Sequence, residues 1–189
     1  MQMRNHHLKI FSLILFSLLF ASCVYAYQTL AFDFPKGAGS WIVAYHQKRT
    51  NETIVQYVPS GETYTNWSKT LIIHSYRNVN QRSAAGLLRK ITAQLEALNS
   101  YSPYQYERIT QYDAIATRCV VGNEKMSSQC DIYRAMKSFD GYITMQYVNK
   151  SLEDFKLDYM NWLDAIKEAK PYSAAFRNDR YLNKTNFEL

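Results

Sequence analysis

The chain is short of the side chains on which enzymes and metal sites are most often built. Its 189 residues include three cysteines and four histidines. Beyond residue 26 only Cys119, Cys130, His46 and His74 remain. No CxxC occurs, so neither a dithiol redox motif nor a cysteine zinc knuckle is in view. No GxSxG elbow, SxxK or HExxH is present, which removes the usual sequence signals of serine and zinc hydrolases. No helix-turn-helix or RNA-binding signature accompanies the basic residues. Repeats and low-complexity blocks are absent. After residue 26 no apolar run approaches the roughly 20 residues that a membrane-spanning helix needs.

What the sequence does have is aromatic and apolar material. Sixteen tyrosines, three tryptophans and a hydrophobic share of 47% can fill a core, so the chain is not of the disordered class. The formal charge of +6 is mild. Residues 1–26 read as an export signal: Arg4 and Lys9 at the front, an apolar run from Ile10 to Phe20, then small residues in "ASCVYA". Two ends to that signal are open. A cut after Ala26 gives a periplasmic or secreted protein that begins at Tyr27. Alternatively "LFASC" is a lipobox, and Cys23 carries the lipid of an outer-membrane lipoprotein.

Residues 27–40, with "FDFPKGAGS", read as an irregular leading segment. Alternating β-branched and aromatic residues predict strands over 41–47, 53–58 and 70–77. In "SAAGLLRKITAQLEAL" (83–98) the apolar residues recur with a helical period, and Ser83 is placed to cap the first turn. Further strands follow in "YERITQYD", "AIATRCVVG", "QCDIYRAMKSF" and "YITMQYV", the last two joined by a turn at Asp140 and Gly141. The second helix spans 151–170, with Ser151 and Asp154 as a capping pair, one apolar face, and Pro171 as its stop. The tail, 172–189, has no period and reads as loosely held.

Strands joined by short turns must run antiparallel. One-faced helices need a sheet to cover. The predicted fold is therefore α+β, a single domain over 41–171. It has a mostly antiparallel sheet of about six or seven strands flanked by two main helices. That order, with the leader and the closing helix, resembles the PsbP/DcrB-like exported proteins over residues 40 to 170. The resemblance implies a PsbP-like sandwich and an accessory or binding role, and it carries no site residues across. The stretch "YVPSGET…NW" is also similar to small secreted proteins of Gram-negative bacteria.

An even pair of cysteines in an exported chain predicts a disulfide. If the strands on either side of "NEKMSS" pair about that turn, Val121 faces Ser128 and Cys119 faces Cys130. Directly opposed residues of an antiparallel pair are close enough to bridge.

The candidate site residues are few. In "VPSGETYTNW" (58–67), Pro59 suits the second position of a turn and Gly61 the fourth. Glu62 is the residue that turn does not need. With Asn66 and Trp67 it forms a candidate contact rim for a ligand. A small hydrolase using Glu62 with His46 or His74 is the enzymatic alternative. The two histidines could also meet with Glu62 or Glu52 as metal ligands, although nothing in their spacing demands a metal. Tyr101, Tyr104 and Tyr106 offer rigid surface with polar tips, suited to a glycan or a protein partner. Arg77, Arg82, Arg89 and Lys90 gather near the first helix and suit either solvent or an acidic envelope surface. Glu107, Asp113, Glu124 and Asp131 read as solvating carboxylates at strand ends. Asn51, Asn66, Asn149 and Asn183 each open an Asn-x-Ser/Thr triplet, which matters only in a eukaryotic secretory host. No cofactor and no nucleic acid is expected. The sequence thus favours a non-enzymatic exported binding or accessory protein.

Overall fold

A computed structural model describes residues 28–98, 102–124, 127–173 and 186–188. The expected leader with Cys23, and also Tyr101 and Asn183, lie outside the described residues. The described residues begin with strand β1 (Gln28–Ala31). A meander follows: β2 (Trp41–Lys48), β3 (Glu52–Pro59) and β4 (Lys69–Arg77). Helix α1 (Ala84–Leu98) then carries the chain across one face to the far edge. From there β5 (Gln105–Thr110), β6 (Asp113–Val120), β7 (Gln129–Lys137) and β8 (Gly141–Asn149) step back inward. Helix α2 (Leu152–Glu168) and the short strands β9 (Lys170–Ser173) and β10 (Asn186–Glu188) complete the order.

The main sheet has seven strands in the order β2-β3-β4-β8-β7-β6-β5, each pair antiparallel. The α+β class read from the sequence stands. A second sheet, β10-β1-β9, was not expected, and with it the strands outnumber the six or seven foreseen. It forms where 27–40 read as irregular and 172–189 as loose. Pro and Gly in "FDFPKGAGS" obscured an alternation that buries Leu30 and Phe32 beside Trp162. The domain therefore starts before residue 41.

Each face of the main sheet carries its own core. On one, Leu71, Ile73, Ile143, Met145 and Tyr147 meet α2. Trp162 stacks on Tyr147 at 3.9 Å, and Phe34 and Trp41 pack around its other sides. On the opposite face, Leu87 and Leu88 of α1 lie on Ala114, Ala116 and Ala135, whose small side chains let the helix approach closely. Both serines cap their helices, but the Ser151 amide donates to Asn149, so Asp154 does not close a capping box. Ser83 accepts from the Gly86 amide at 3.1 Å, and Ser151 from the Asp154 amide at 3.2 Å.

The register of β6 on β7 puts Cys119 opposite Cys130, and the two are disulfide-bonded with Cα atoms 4.0 Å apart. The same register puts Arg118 opposite Asp131. Glu107 and Glu124 are exposed, as read from the sequence, but for Asp113 and Asp131 the reading of solvating carboxylates fails. Asp131 is fully buried, 3.7 Å from Arg118, and Arg118 donates to the Leu95 carbonyl in the last turn of α1 at 3.2 Å. On the other face Arg134 grips Asp113 with two hydrogen bonds, of 2.9 and 2.6 Å. Arg134 also donates to the carbonyls of Ile166 and Ala169 at the end of α2. Each helix thus has orphan C-terminal carbonyls satisfied by a buried arginine of the sheet. An aspartate on the adjoining strand balances each arginine. Glu107, the third of these carboxylates, reaches Lys167 at 3.4 Å.

Gly141 serves a different purpose from the expected one. The amide of Ser138 closes the turn onto the Gly141 carbonyl, so Phe139 and Asp140 form the tip and Gly141 opens β8. A Cβ there would lie 1.8 Å from the Tyr76 carbonyl oxygen of β4. Gly141→Ala is expected to destabilise the protein by about 3 kcal/mol or more, because the obstacle is backbone. A urea-unfolding midpoint unchanged from the parent would contradict this. Arg118→Leu strands a buried carboxylate and should cost about 3–5 kcal/mol, while Arg118→Leu with Asp131→Leu should recover much of it. If the double variant is no more stable than the single, the ion pair is not the source of the loss.

Candidate functional site

Helix α1 packs on β6 and β7, and among the described residues no helix covers the β2–β3–β4 half of its face. Side chains alternate between faces along a strand. Val55, Tyr57, Leu71 and Ile73 are buried toward α2, whereas their neighbours Ile54, Gln56, Ile72 and His74 are only half-buried on the open side. Register lines these residues up in rows. Tyr45, Gln56, Ile72, Gln146 and Tyr133 are successive partners across five strands. Gln47, Ile54, His74 and Thr144 form the next row. A bulge between Val43 and Tyr45 switches the parity of β2 and turns Tyr45 and Gln47 to this side. Tyr45 meets Tyr64 of the 60–68 loop, with ring centroids 5.9 Å apart.

The rows are held by a polar network. The His74 ring lies 3.2 Å from Glu52 and stacks on Tyr76 at 3.9 Å. The hydroxyls of Tyr76 and Tyr133 share Thr144. Gln146 bonds Asp131, which also accepts from Tyr104 at 2.9 Å and Gln129 at 3.1 Å. Burial pushes the Tyr76 hydroxyl up to about 12 and raises those of Tyr104 and Tyr133 as well. Burial also pushes the Asp131 carboxyl up, against the pull of Tyr104 and Arg118. All three tyrosines stay protonated donors at neutral pH.

The residues singled out from the sequence are distributed otherwise. Glu62 is taken up by the loop, where its carboxylate accepts from the Ser68 amide at 2.8 Å and the Ser68 hydroxyl at 2.6 Å. The turn before it runs from Pro59 to Glu62. Pro59 is therefore its first residue and Gly61, at φ +92, its third. Lys150 sits 4.0 Å over the half-buried Trp67 ring, and Asn66 is exposed. His74 lies six residues along from Ser68, about 20 Å in an extended strand, so Glu62 and His74 do not meet. His46 pairs with Val55 and His74 with Ile54, so the two histidines face opposite sides of the sheet. Among the described residues no cluster suited to a metal ion occurs. Glu52 is the carboxylate that reaches His74, but Thr144, beside His74 in the register, is buried. Tyr104 is buried under α1, and the half-buried Tyr106 packs beside it and shares a 2.6 Å hydrogen bond with Thr92.

Reasoning from the sequence missed Tyr45, Gln56, Ile72 and Gln146. Their signal was the polar or aromatic half of each strand's alternation, which becomes a row only once the order of strands is known. These features define an α+β protein with a half-open sheet face. One family model matches residues 39–177, most of the chain, and the protein belongs to that family. No curated protein and no solved structure matches it. No helix among the described residues is long and apolar enough to cross a membrane.

Burial lowers the His74 ring below its ordinary 6.5, outweighing the opposing pull of Glu52. The folded state then prefers the neutral ring. Its contribution is intact above the unfolded value and is lost as the pH falls through it. Acidification from about pH 7.5 to 5 should therefore lower the urea midpoint of the parent more than that of His74→Gln. Equal or steeper loss in the variant would mean that the folded protein holds a charged ring.

Proposed function

We propose that the protein is an exported, non-catalytic binding or accessory protein whose ligand lies on the open half of the sheet face. The observation that carries this reading is the row Tyr45, Gln56, Ile72, Gln146 and Tyr133, half of it without a helix over it among the described residues. Flat aromatic rings and side-chain amides suit a neutral, polyhydroxylated ligand, which stacks by its apolar face and exchanges hydrogen bonds at its edges. Glu52 is already charge-matched by Arg49 at 2.8 Å and hydrogen-bonded with the His74 ring, so the surface does not select a charged ligand. A glycan fits this chemistry. The element order shared with PsbP-like accessory proteins supports the same role, and the 1–26 leader and the disulfide support export.

Titration with neutral oligosaccharides and soluble peptidoglycan fragments, followed by backbone amide NMR, should shift resonances of β2, β3, β4 and β8. Tyr45→Ala and Gln56→Ala should each weaken binding about tenfold. If no saccharide shifts those strands, or if both variants bind like the parent, the ligand reading fails. The intact mass of the protein from its host tests export separately. Processing at Tyr27 or at a lipidated Cys23 is expected, with the Cys119–Cys130 bond making the unreduced form two hydrogens lighter. A cytoplasmic chain that keeps Met1 and gains no mass on reduction would overturn it.

A further inference from the structure

One end of the main sheet combines exposed apolar tips with basic side chains. The turns at 49–51, 111–112 and 138–140 all lie there, and backbone hydrogen bonds stitch them together. The Arg77 amide donates to Asn51, Asn78 to Asp140, Lys137 to Tyr112 and Ala84 to Gln111, at 2.7 to 3.1 Å. The result is a plate rather than separate loops. Large apolar side chains project from it: Phe139 is 78% exposed, Tyr112 53% and Ile109 42%. Neither turn needs an aromatic residue, since the 138–141 turn is closed by backbone alone.

The charge around these tips is positive. Arg82 is exposed in the crossover beside the plate, where its carbonyl accepts from Gln111 at 3.3 Å. Lys137 flanks the Phe139 turn, 4.9 Å over the Tyr142 ring. Arg89 and Lys90 continue the positive surface along the exposed side of α1. The carboxylates at this end already have partners: Asp113 is gripped by Arg134, Glu52 by Arg49, and Asp140 lies 4.0 Å from Arg77. They do little to repel an anionic surface.

We propose that this end docks on an anionic lipid bilayer. Phe139, Tyr112 and Ile109 enter the headgroup boundary, where amphipathic aromatic rings settle, and Arg82, Lys137 and Lys90 lie at the level of the lipid phosphates. Because the plate is held by its own backbone, docking requires little ordering. A soluble acidic partner would use the cations but has no need of projecting apolar tips. The bilayer uses both.

The test is flotation of the host-processed protein carrying Cys23→Ser, which removes any acyl attachment. Vesicles of phosphatidylglycerol with phosphatidylcholine are compared with phosphatidylcholine alone. Binding is expected to the anionic vesicles and to fall with added salt. Phe139→Ser with Tyr112→Ser should reduce partitioning about tenfold or more. Arg82→Glu with Lys90→Glu should reduce it at least as much. Val121→Ser and Leu157→Ser, which alter exposed apolar residues elsewhere, should leave it unchanged. All these positions are exposed, so unfolding midpoints should stay at the parent value. No flotation with anionic vesicles overturns the proposal. So does loss in the charge variant alone, which would assign the surface to a soluble polyanion or an acidic protein.

Discussion

The register of β6 against β7 is the constraint on which the rest of the interior depends. One alignment brings Cys119 to Cys130, Arg118 to Asp131 and Ile115 to Arg134, with Asp113 diagonal to that arginine. A slip by one residue would send the side chains of the displaced strand to the opposite face. Each arginine would then lose its aspartate, and the one on the displaced strand would also lose the helix carbonyls it serves. The disulfide therefore guards more than its own short loop. It pins an alignment in which one buried ion pair anchors the end of α1 and a second, on the other face, anchors the end of α2.

Buried ion pairs contribute little net stability, because desolvation cancels much of the attraction. Their effect here is positional. Two amphipathic helices could slide along a sheet coated with Leu, Ile and Ala. An arginine that must meet the last carbonyls of a helix fixes where that helix stops. With α1 held over β5 to β7, the β2–β3–β4 half of the same face has no helix over it among the described residues. The candidate site is thus a consequence of where the first helix is stopped, and its polar network runs back through Gln146 to Asp131.

The molecule divides its surface by chemistry. The open half-face is amide, aromatic and nearly uncharged. The turn-bearing end is apolar at its tips and cationic around them. A protein held by that end on a bilayer would present the open face alongside the membrane, within reach of a ligand near its surface. The face and the end share strands β3, β4 and β8, so the scaffold that shapes one also fixes the other.

Much of the fold was legible in the residues. Alternation marked the main strands, helical period and caps marked both helices, and the spacing about "NEKMSS" gave the β6–β7 register and with it the cysteine pair. That register also implied Arg118 opposite Asp131, yet charged residues inside strands read as solvent-facing, and burial is a property of what lies above them. The second sheet was hidden because its strands are short and come from distant parts of the chain. Glu62, Tyr104 and Tyr106 looked functional because they are polar or aromatic near turns. Tertiary contacts assign Glu62 to a loop clamp, Tyr104 to the core and Tyr106 to its half-buried edge. The sequence by itself determined the class of fold, the local elements and the pairing of neighbouring strands, because these follow from periodicity and short turns. Only the tertiary structure decided that β4 pairs with β8, where α1 comes to rest, and so which half of the sheet stays open. Those depend on contacts between residues far apart in the chain, and no local pattern encodes them.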